Sequence, residues 1–542
     1  REVPFDTVDV DHLAAGGGAT FAAIGDLVMD IPLTYNSAGD VNMLATGDLT
    51  ILRGIQNGGT GDVNAVAGWN SLSPDLDFLD KVPMRLIDIG AIYADPSAWG
   101  NNGGVASIGG GSQLFGVAVG SARGETTILG DTVDVKGSTS SASGYAVVGY
   151  APTPGVNPTG SILVASNTGD VSVEGGTLTN TFAQIGHRAL GNIVANLSGP
   201  ISVVSGGDLL VRGGSALQTS AHIGHGGIGA TTTSLGGDIL VDVANDTNLF
   251  GGSGSASYAQ IGHGGLSTSG AMSGLVSLDS GGNIQVVAAN LSNLSYAKIG
   301  HGDDLRGAAA AQGGLGVRTG NVLVSAGEDI TIQTGMIGHV NNVSAATSTS
   351  GSTQIGVARS NPADPAAGTL TANSQSQFQG GDEVRFYVPR RENNRVAAGA
   401  SINGVSFVGG LSDPWPTQRN DEFTNYLSTD AGLLQPAEHD NTLGSGGAPT
   451  NPGNFAFYYD LIVSGAPVIV PNPGGGGGDG SGNGGNNPGN GGNNPGTGGP
   501  TPPAQPDPRK GVLDDRIIDD WIREQEGEYT GPGSTGIYYE GF

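Results

Sequence analysis

One dipeptide recurs at a fixed distance along this chain. Gly186, Gly224, Gly262, Gly300 and Gly338, each preceded by Ile, lie 38 residues apart, and each is followed by a histidine: His187, His225, His263, His301 and His339. The surroundings repeat as well, as "FAQIGHRA", "SAHIGHGG", "SYAQIGHGG" and "SYAKIGHGD". A constant period of this size is the signature of a solenoid, whose units bury their apolar faces only against their neighbours. Weaker copies extend the series toward the N-terminus through Gly149, Gly109, Gly68 and Gly25, at intervals of 37, 40, 41 and 43, and Gly356 follows Gly338 by 18.

Within one period three short apolar segments follow in order, for example "ILVDV", "TNLF" and "YAQIGH", each bounded by Gly, Asn, Asp or Ser. Period-two alternation in such runs marks strands, and long-range helical periodicity is missing. Three strands with Gly-rich corners describe one triangular coil of a parallel β-helix. The alternative is two coils of about 19 residues per period, to which the step to Gly356 points locally; both countings stay open, although three strands, not six, are legible in each period. Taken as one coil each, residues 25–360 make nine or ten coils at about 4.8 Å, or roughly 45 Å in all. Residues 1–24 then form an N-terminal cap. In "YAQIGH", Ala259, Ile261 and His263 share one face of the strand and Tyr258, Gln260 and Gly262 the other, with Ala and Ile directed inward.

Stacking of equivalent residues places the five histidines in a column on one edge, with Gly186, Gly224, Gly262, Gly300 and Gly338 beside them where a Cβ would obstruct the turn. The favoured reading is a structural ladder of neutral imidazoles bonded to corner carbonyls; a metal-binding or pH-sensing column is the alternative. Five charged imidazoles at this spacing would repel one another. No metal or cofactor is assigned.

Composition limits the partners. Gly supplies 99 of 542 residues, acidic side chains outnumber basic ones 49 to 21, and the only lysines are Lys81, Lys136, Lys298 and Lys510. A net charge of −28 argues against nucleic acid or an anionic membrane as the main partner. With no Cys, disulfides, thiolate metal sites and thiol nucleophiles are excluded. No apolar run is long enough to cross a bilayer. The opening "REVPFDTV" lacks a charged and apolar leader, so we expect a processed or partial chain.

The strand starts at Gly169–Val173, Gly237–Val241 and Gly320–Val324, alternating with "YAQIGHGG", resemble the repeats of large bacterial surface adhesins of the filamentous-haemagglutinin type. Such exoproteins are exported by two-partner secretion or as autotransporter passengers. The resemblance covers about Gly25 to Gly356. It implies a right-handed parallel β-helix outside the cell that mediates adhesion or biofilm cohesion without catalysis. The expected partners are a surface polysaccharide, neighbouring copies of the chain, or an outer-membrane secretion partner.

After Ser360 the repeat stops. Residues 361–470 read as a β-rich cap covering the open strand edges of the solenoid. There "EVRFYVPRRENNRV" gathers Arg385, Arg390, Arg391 and Arg395 beside Phe386 and Tyr387, side chains suited also to gripping acidic or planar sugar surfaces. Residues 471–508 are a Gly/Pro-rich linker. In 509–542, Leu513, Ile517, Ile518, Trp521 and Ile522 recur at helical spacing, an amphipathic helix read as a docking element.

Parallel β-helices also carry polysaccharide lyases and hydrolases, so that class is the alternative function. Its sites need clustered carboxylates on one face of adjacent coils. The acids in view, Asp170, Asp208 and Asp238, instead sit at strand starts, where Asp is a common corner residue. The chain is therefore read as a non-enzyme.

Overall fold

The computed structural model describes residues 17–70, 93, 99, 103–110, 113–151, 155–188, 195–304, 316–339, 350–357, 368–380, 383–388, 394–397, 399–402, 405–406 and 454–458. The chain divides into two units, Arg1–Pro467 and Val468–Phe542, and every described residue belongs to the first.

Short β-branched runs ending in Gly, Ser or Asp form strands that the chain visits in rotation. The circuit Ile201–Ser205, Leu209–Arg212, Ala221–Ile223 is one coil. Its strands pair in parallel with the next coil, Ile201 against Ile239, Leu209 against Thr247 and Ala221 against Ala259. Repetition builds three walls of twelve, eleven and twelve strands. This is a parallel β-helix. Among the described residues an antiparallel strand pair, Ser401–Ile402 with Val405–Ser406, ends the third wall. Among the described residues no helix is long and apolar enough to cross a membrane.

Alternation decides what each strand buries. In the first wall Val203, Val241, Leu278 and Val324 stack inward, and in the third Ile223, Ile261 and Ile299 do, all 2% exposed or less. They belong to one continuous core that runs from Leu27 to Ile402. Each such side chain stabilises the stack by about 1.5–3 kcal/mol through burial.

The 38-residue period corresponds to one coil, so the two-coil counting fails over Gly186 to Gly338. The weaker markers need correction. Gly25 and Gly68 follow strands of the first wall, Gly109 lies in the second and Gly356 in the first; only Gly149 continues the third-wall column. Glycine is useful at every corner, so a bare Ile-Gly does not identify a wall. The earliest coils are short: Ala19 pairs with Val41 and Val41 with Val63, 22 residues each, so Gly25 to Gly68 spans two coils. Nine first-wall strands start between residues 25 and 360, matching the nine or ten coils expected there, and the twelve described strands of that wall together extend roughly 53 Å. Even the last 38-residue step is a sum of opposite changes. Ile284 and its partner Ile330 are 46 apart, yet Lys298 and Met336 are 38 apart, because the corner between the second and third walls shortens.

The cap assignment is also corrected. Leu370–Ala372, Gln377–Gln379, Glu383–Tyr387, Asn394–Val396 and Asn454–Tyr458 continue the same walls in parallel register. Val384, Phe386, Val396 and Ile402 point into the common core. The Ile-Gly-His corner ends at His339, whereas the coil continues past residue 360. Likewise Ala19–Ala23 already pairs as a first-wall strand, ahead of Gly25.

A fourth sheet was not foreseen. Ala195–Leu197, Thr232–Leu235, Ala271–Ser273 and Arg318–Thr319 pair in parallel where the chain leaves the third wall before climbing to the first. Ala195, Leu197, Ala230, Leu235 and Met272 give it a small core of its own.

Candidate functional site

The excursion that carries the fourth sheet starts at the Ile-Gly-His corner, and the geometry there accounts for the repeat. The rings of His187, His225, His263, His301 and His339 stack with centroids 4.9, 4.9, 4.9 and 4.7 Å apart and planes within 6°. Each Nδ1 accepts the backbone N–H of the residue one coil earlier: His187 to His225 at 2.9 Å, His225 to His263 at 3.1 Å, His263 to His301 at 3.0 Å and His301 to His339 at 3.1 Å. Tyr150 N–H closes the series on His187 at 3.0 Å. On the other side, each Nε2 lies 2.7–3.0 Å from the carbonyl of Gly160, Gly199, Gly237, Gly274 or Gly320, just before the first-wall strand. A carbonyl can only accept, so Nε2 carries the proton and Nδ1 the lone pair. The ladder thus bolts coil to coil and closes the gap between the third and first walls.

Both ring nitrogens are used, which leaves no ring lone pair for a metal. Burial pushes the imidazoles of His187, His263 and His339 down to about 4, and those of His225 and His301 well below the ordinary histidine value, where neighbouring rings add to the effect. These histidines are neutral at pH 7. Gly224 and Gly262 take φ of 148° and 144°, and a Cβ on either would collide with the glycine carbonyl of the next coil. His263, placed by alternation on the face of Ala259 and Ile261, spends both ring nitrogens on backbone groups at the corner.

A second polar column escaped the sequence reading. Gln184, His222, Gln260 and Lys298 stand in register on the outer side of the third wall, all fully buried. Each turns a donor onto corner carbonyls: Gln184 to Gly224 at 2.8 Å, His222 to Gly262 at 2.6 Å, Gln260 to Gly302 at 2.9 Å and Lys298 to His301 at 2.6 Å. The signal was the residue before each Ile-Gly-His, which in four of the five copies is a long N–H donor, Met336 being the exception.

The corner acids have an equally local use. Asp170 accepts the N–H of Asp208 at 2.8 Å, Asp208 that of Asp246 at 3.1 Å, and Asp246 that of Asn283 at 2.7 Å. Asp238 accepts the N–H of Leu275 at 2.8 Å. Two other acid sets were not singled out. Asp62 and Glu125 are raised to about 6 and about 7, chiefly by burial. Asp242 and Asp279 pair in register on the outer face of the first wall and are both raised, again by burial first. Among the described residues no group of three or more His, Asp or Glu is placed to hold a metal ion.

Of the Arg and aromatic residues assigned to the cap, Phe386 is removed from the ligand set. Phe386 is a core residue, fully buried and edge-on to Phe378 at 4.9 Å, so it cannot meet a ligand. Arg385 and Tyr387 lie in the first wall, in register with Gln354 and Gly356. Arg395 is exposed on the second wall, in register with Thr371. Alternation explains the burial of Phe386, which falls between Val384 and Val388 in the inward set of its strand. Arg390, Arg391 and the docking residues Leu513, Ile517, Ile518, Trp521 and Ile522 lie outside the described residues. In comparisons with known proteins, no family model matches the chain, and neither the curated proteins nor the solved structures contain a match.

Proposed function

We propose that this chain is an extracellular structural and adhesive protein of a bacterial surface, acting through a surface polysaccharide, further copies of itself or an outer-membrane secretion partner. The observation that supports this reading is where the chemistry-bearing side chains go: the five histidines and the corner aspartates are spent on bonds between coils. Such a chain invests its polar groups in a regular scaffold and offers long walls for multivalent contact. The resemblance of its repeats to filamentous-haemagglutinin-type adhesins points the same way. The test is adhesion of beads coated with the purified chain to bacterial cells and to immobilised extracellular polysaccharide. Coated beads are expected to bind, and soluble protein to compete; beads that behave like uncoated ones would refute the reading.

One observation favours a polysaccharide lyase or hydrolase instead. Asp242 and Asp279, on adjacent coils with raised affinity for protons, are the arrangement an acid–base pair would need. Release of reducing ends or unsaturated products from acidic and neutral polysaccharides, lost in Asp242→Asn and Asp279→Asn, would establish it.

A further inference from the structure

Seven buried side-chain polar atoms among the described residues have no hydrogen-bond partner, and four of them gather in one place: Arg188 Nε, Ser220 Oγ, His222 Nδ1 and Tyr258 Oη. Ser220 and Tyr258 occupy equivalent positions on consecutive coils of the third wall, since Ala221 N–H donates to the Tyr258 carbonyl and Ala183 N–H to that of Ser220. His222 follows Ser220 by two residues on the same outer face, and its ring meets Tyr258 edge-on at 6.1 Å. Arg188 closes the site from the corner after His187. Its guanidinium lies 3.4 Å from the centroid of the Phe182 ring, donates to Gln184 Oε1 at 2.7 Å, and packs under the backbone of Gly227.

The charge is what requires explanation. Arg188 is 3% exposed and the other three residues are fully buried, yet Arg188 has no carboxylate partner among the described residues. A guanidinium is effectively always protonated, and a buried charge without a counter-charge is strongly disfavoured. Burial depresses even this group to about 10. The Tyr258 hydroxyl lies against Ser220 and the Leu266 N–H, contacts that oppose the upward push of burial on it but fall short of full hydrogen-bond geometry. Three of the orphan groups, Arg188 Nε–H, Ser220 O–H and Tyr258 O–H, are donors. His222 Nδ1 is an acceptor while Nε2 donates to Gly262, so it does not share their task.

We propose that Arg188, Ser220 and Tyr258 form a buried binding site for a small inorganic anion of halide size, the counter-ion of the Arg188 guanidinium. Enclosure by nearly unexposed residues favours a single dehydrated ion over sulfate, phosphate or a carboxylate. A water molecule would satisfy the same donors but leave the charge uncompensated. The ion joins the outer face of the third wall to the corner that carries Arg188.

The test is thermal unfolding of the full chain, refolded in sodium chloride or in sodium gluconate at matched ionic strength, gluconate being too large to enter. An anion bound only by the folded state lowers the unfolding equilibrium constant by the factor 1 + [Cl⁻]/Kd, about elevenfold at ten times Kd. Arg188→Gln should abolish the difference between the salts. Equal stability of the native chain in both, or a chloride dependence that persists in Arg188→Gln, overturns the proposal. If that variant does not fold, crystals grown in bromide decide: an anomalous peak within hydrogen-bonding reach of Arg188 Nε and Ser220 Oγ supports the site, and water density or none there overturns it.

Discussion

Removing one ring from the middle of the histidine ladder should cost far more than an ordinary surface substitution. In His263→Ala the N–H of His225 loses its acceptor at 3.1 Å, and the Gly237 carbonyl loses its donor at 2.7 Å. The His225 N–H stays buried, where an unsatisfied group costs about 1–3 kcal/mol, and the half-buried Gly237 carbonyl costs less. Loss of the stacking contacts at 4.9 Å on either side adds a cavity term. The sum is about 3–6 kcal/mol, whereas His263→Gln, which can restore one of the two bonds, should lose about 1–2 kcal/mol. Denaturant unfolding gives the global figure. Amide hydrogen exchange of His225 gives the local one, with protection falling in the alanine variant before distant coils respond. A His263→Ala protein within 0.5 kcal/mol of the parent, with the His225 amide still protected, would show that the ladder bonds do not hold the coils.

Acid should weaken the same ladder. His187, His263 and His339 titrate near 4 when folded, below the 6.5 of an exposed histidine, so the unfolded chain binds more protons between those values. Their stabilisation is complete above pH 6.5 and declines toward pH 4, by up to about 1.4 kcal/mol per pH unit per ring; a flat denaturation profile across this window would contradict it. Glu125 has the opposite sign, being raised to about 7 by burial and then by Asp62. Glu125→Gln should therefore stabilise the chain at pH 8 by on the order of 1–3 kcal/mol and have little effect at pH 5, as read from unfolding midpoints at the two pH values. Gly262→Ala should lower the melting temperature sharply, because a φ of 144° disfavours a Cβ and the Gly300 carbonyl obstructs it. Asp208→Ala should cost only about 1 kcal/mol, since it removes one capping bond to the Asp246 N–H; a loss as large as that of His263→Ala would mean that the corner acids carry the stack.

The solenoid was legible because a coil repeats its own physics: alternation sets the walls, glycine sets the corners, and stacking turns a 38-residue period into columns such as Ile223, Ile261 and Ile299. Reading failed where a cue had more than one structural source. Gly68 and Gly109 look like the third-wall corner but end strands of other walls. Segments such as "ANL" and "AMS" are too short for periodicity to reveal, so the fourth sheet stayed hidden. The loss of the histidine motif after residue 339 suggested a new domain, yet Val384 and Phe386 keep the inward pattern of the older coils. Proximity across coils, as for Arg188 beside Tyr258, depends on corner geometry that one-dimensional spacing does not encode.

The central claim, that the repeated histidines are neutral bolts between coils, is tested most directly by nitrogen NMR of the chain labelled at histidine and the backbone. The account predicts, at pH 7, ladder imidazoles protonated at Nε2 alone. Couplings across the hydrogen bond should link the amide nitrogen of His187 to Nδ1 of His225, and so on through His225–His263, His263–His301 and His301–His339. Rings protonated at Nδ1, or titrating near the ordinary histidine value without these couplings, would contradict it.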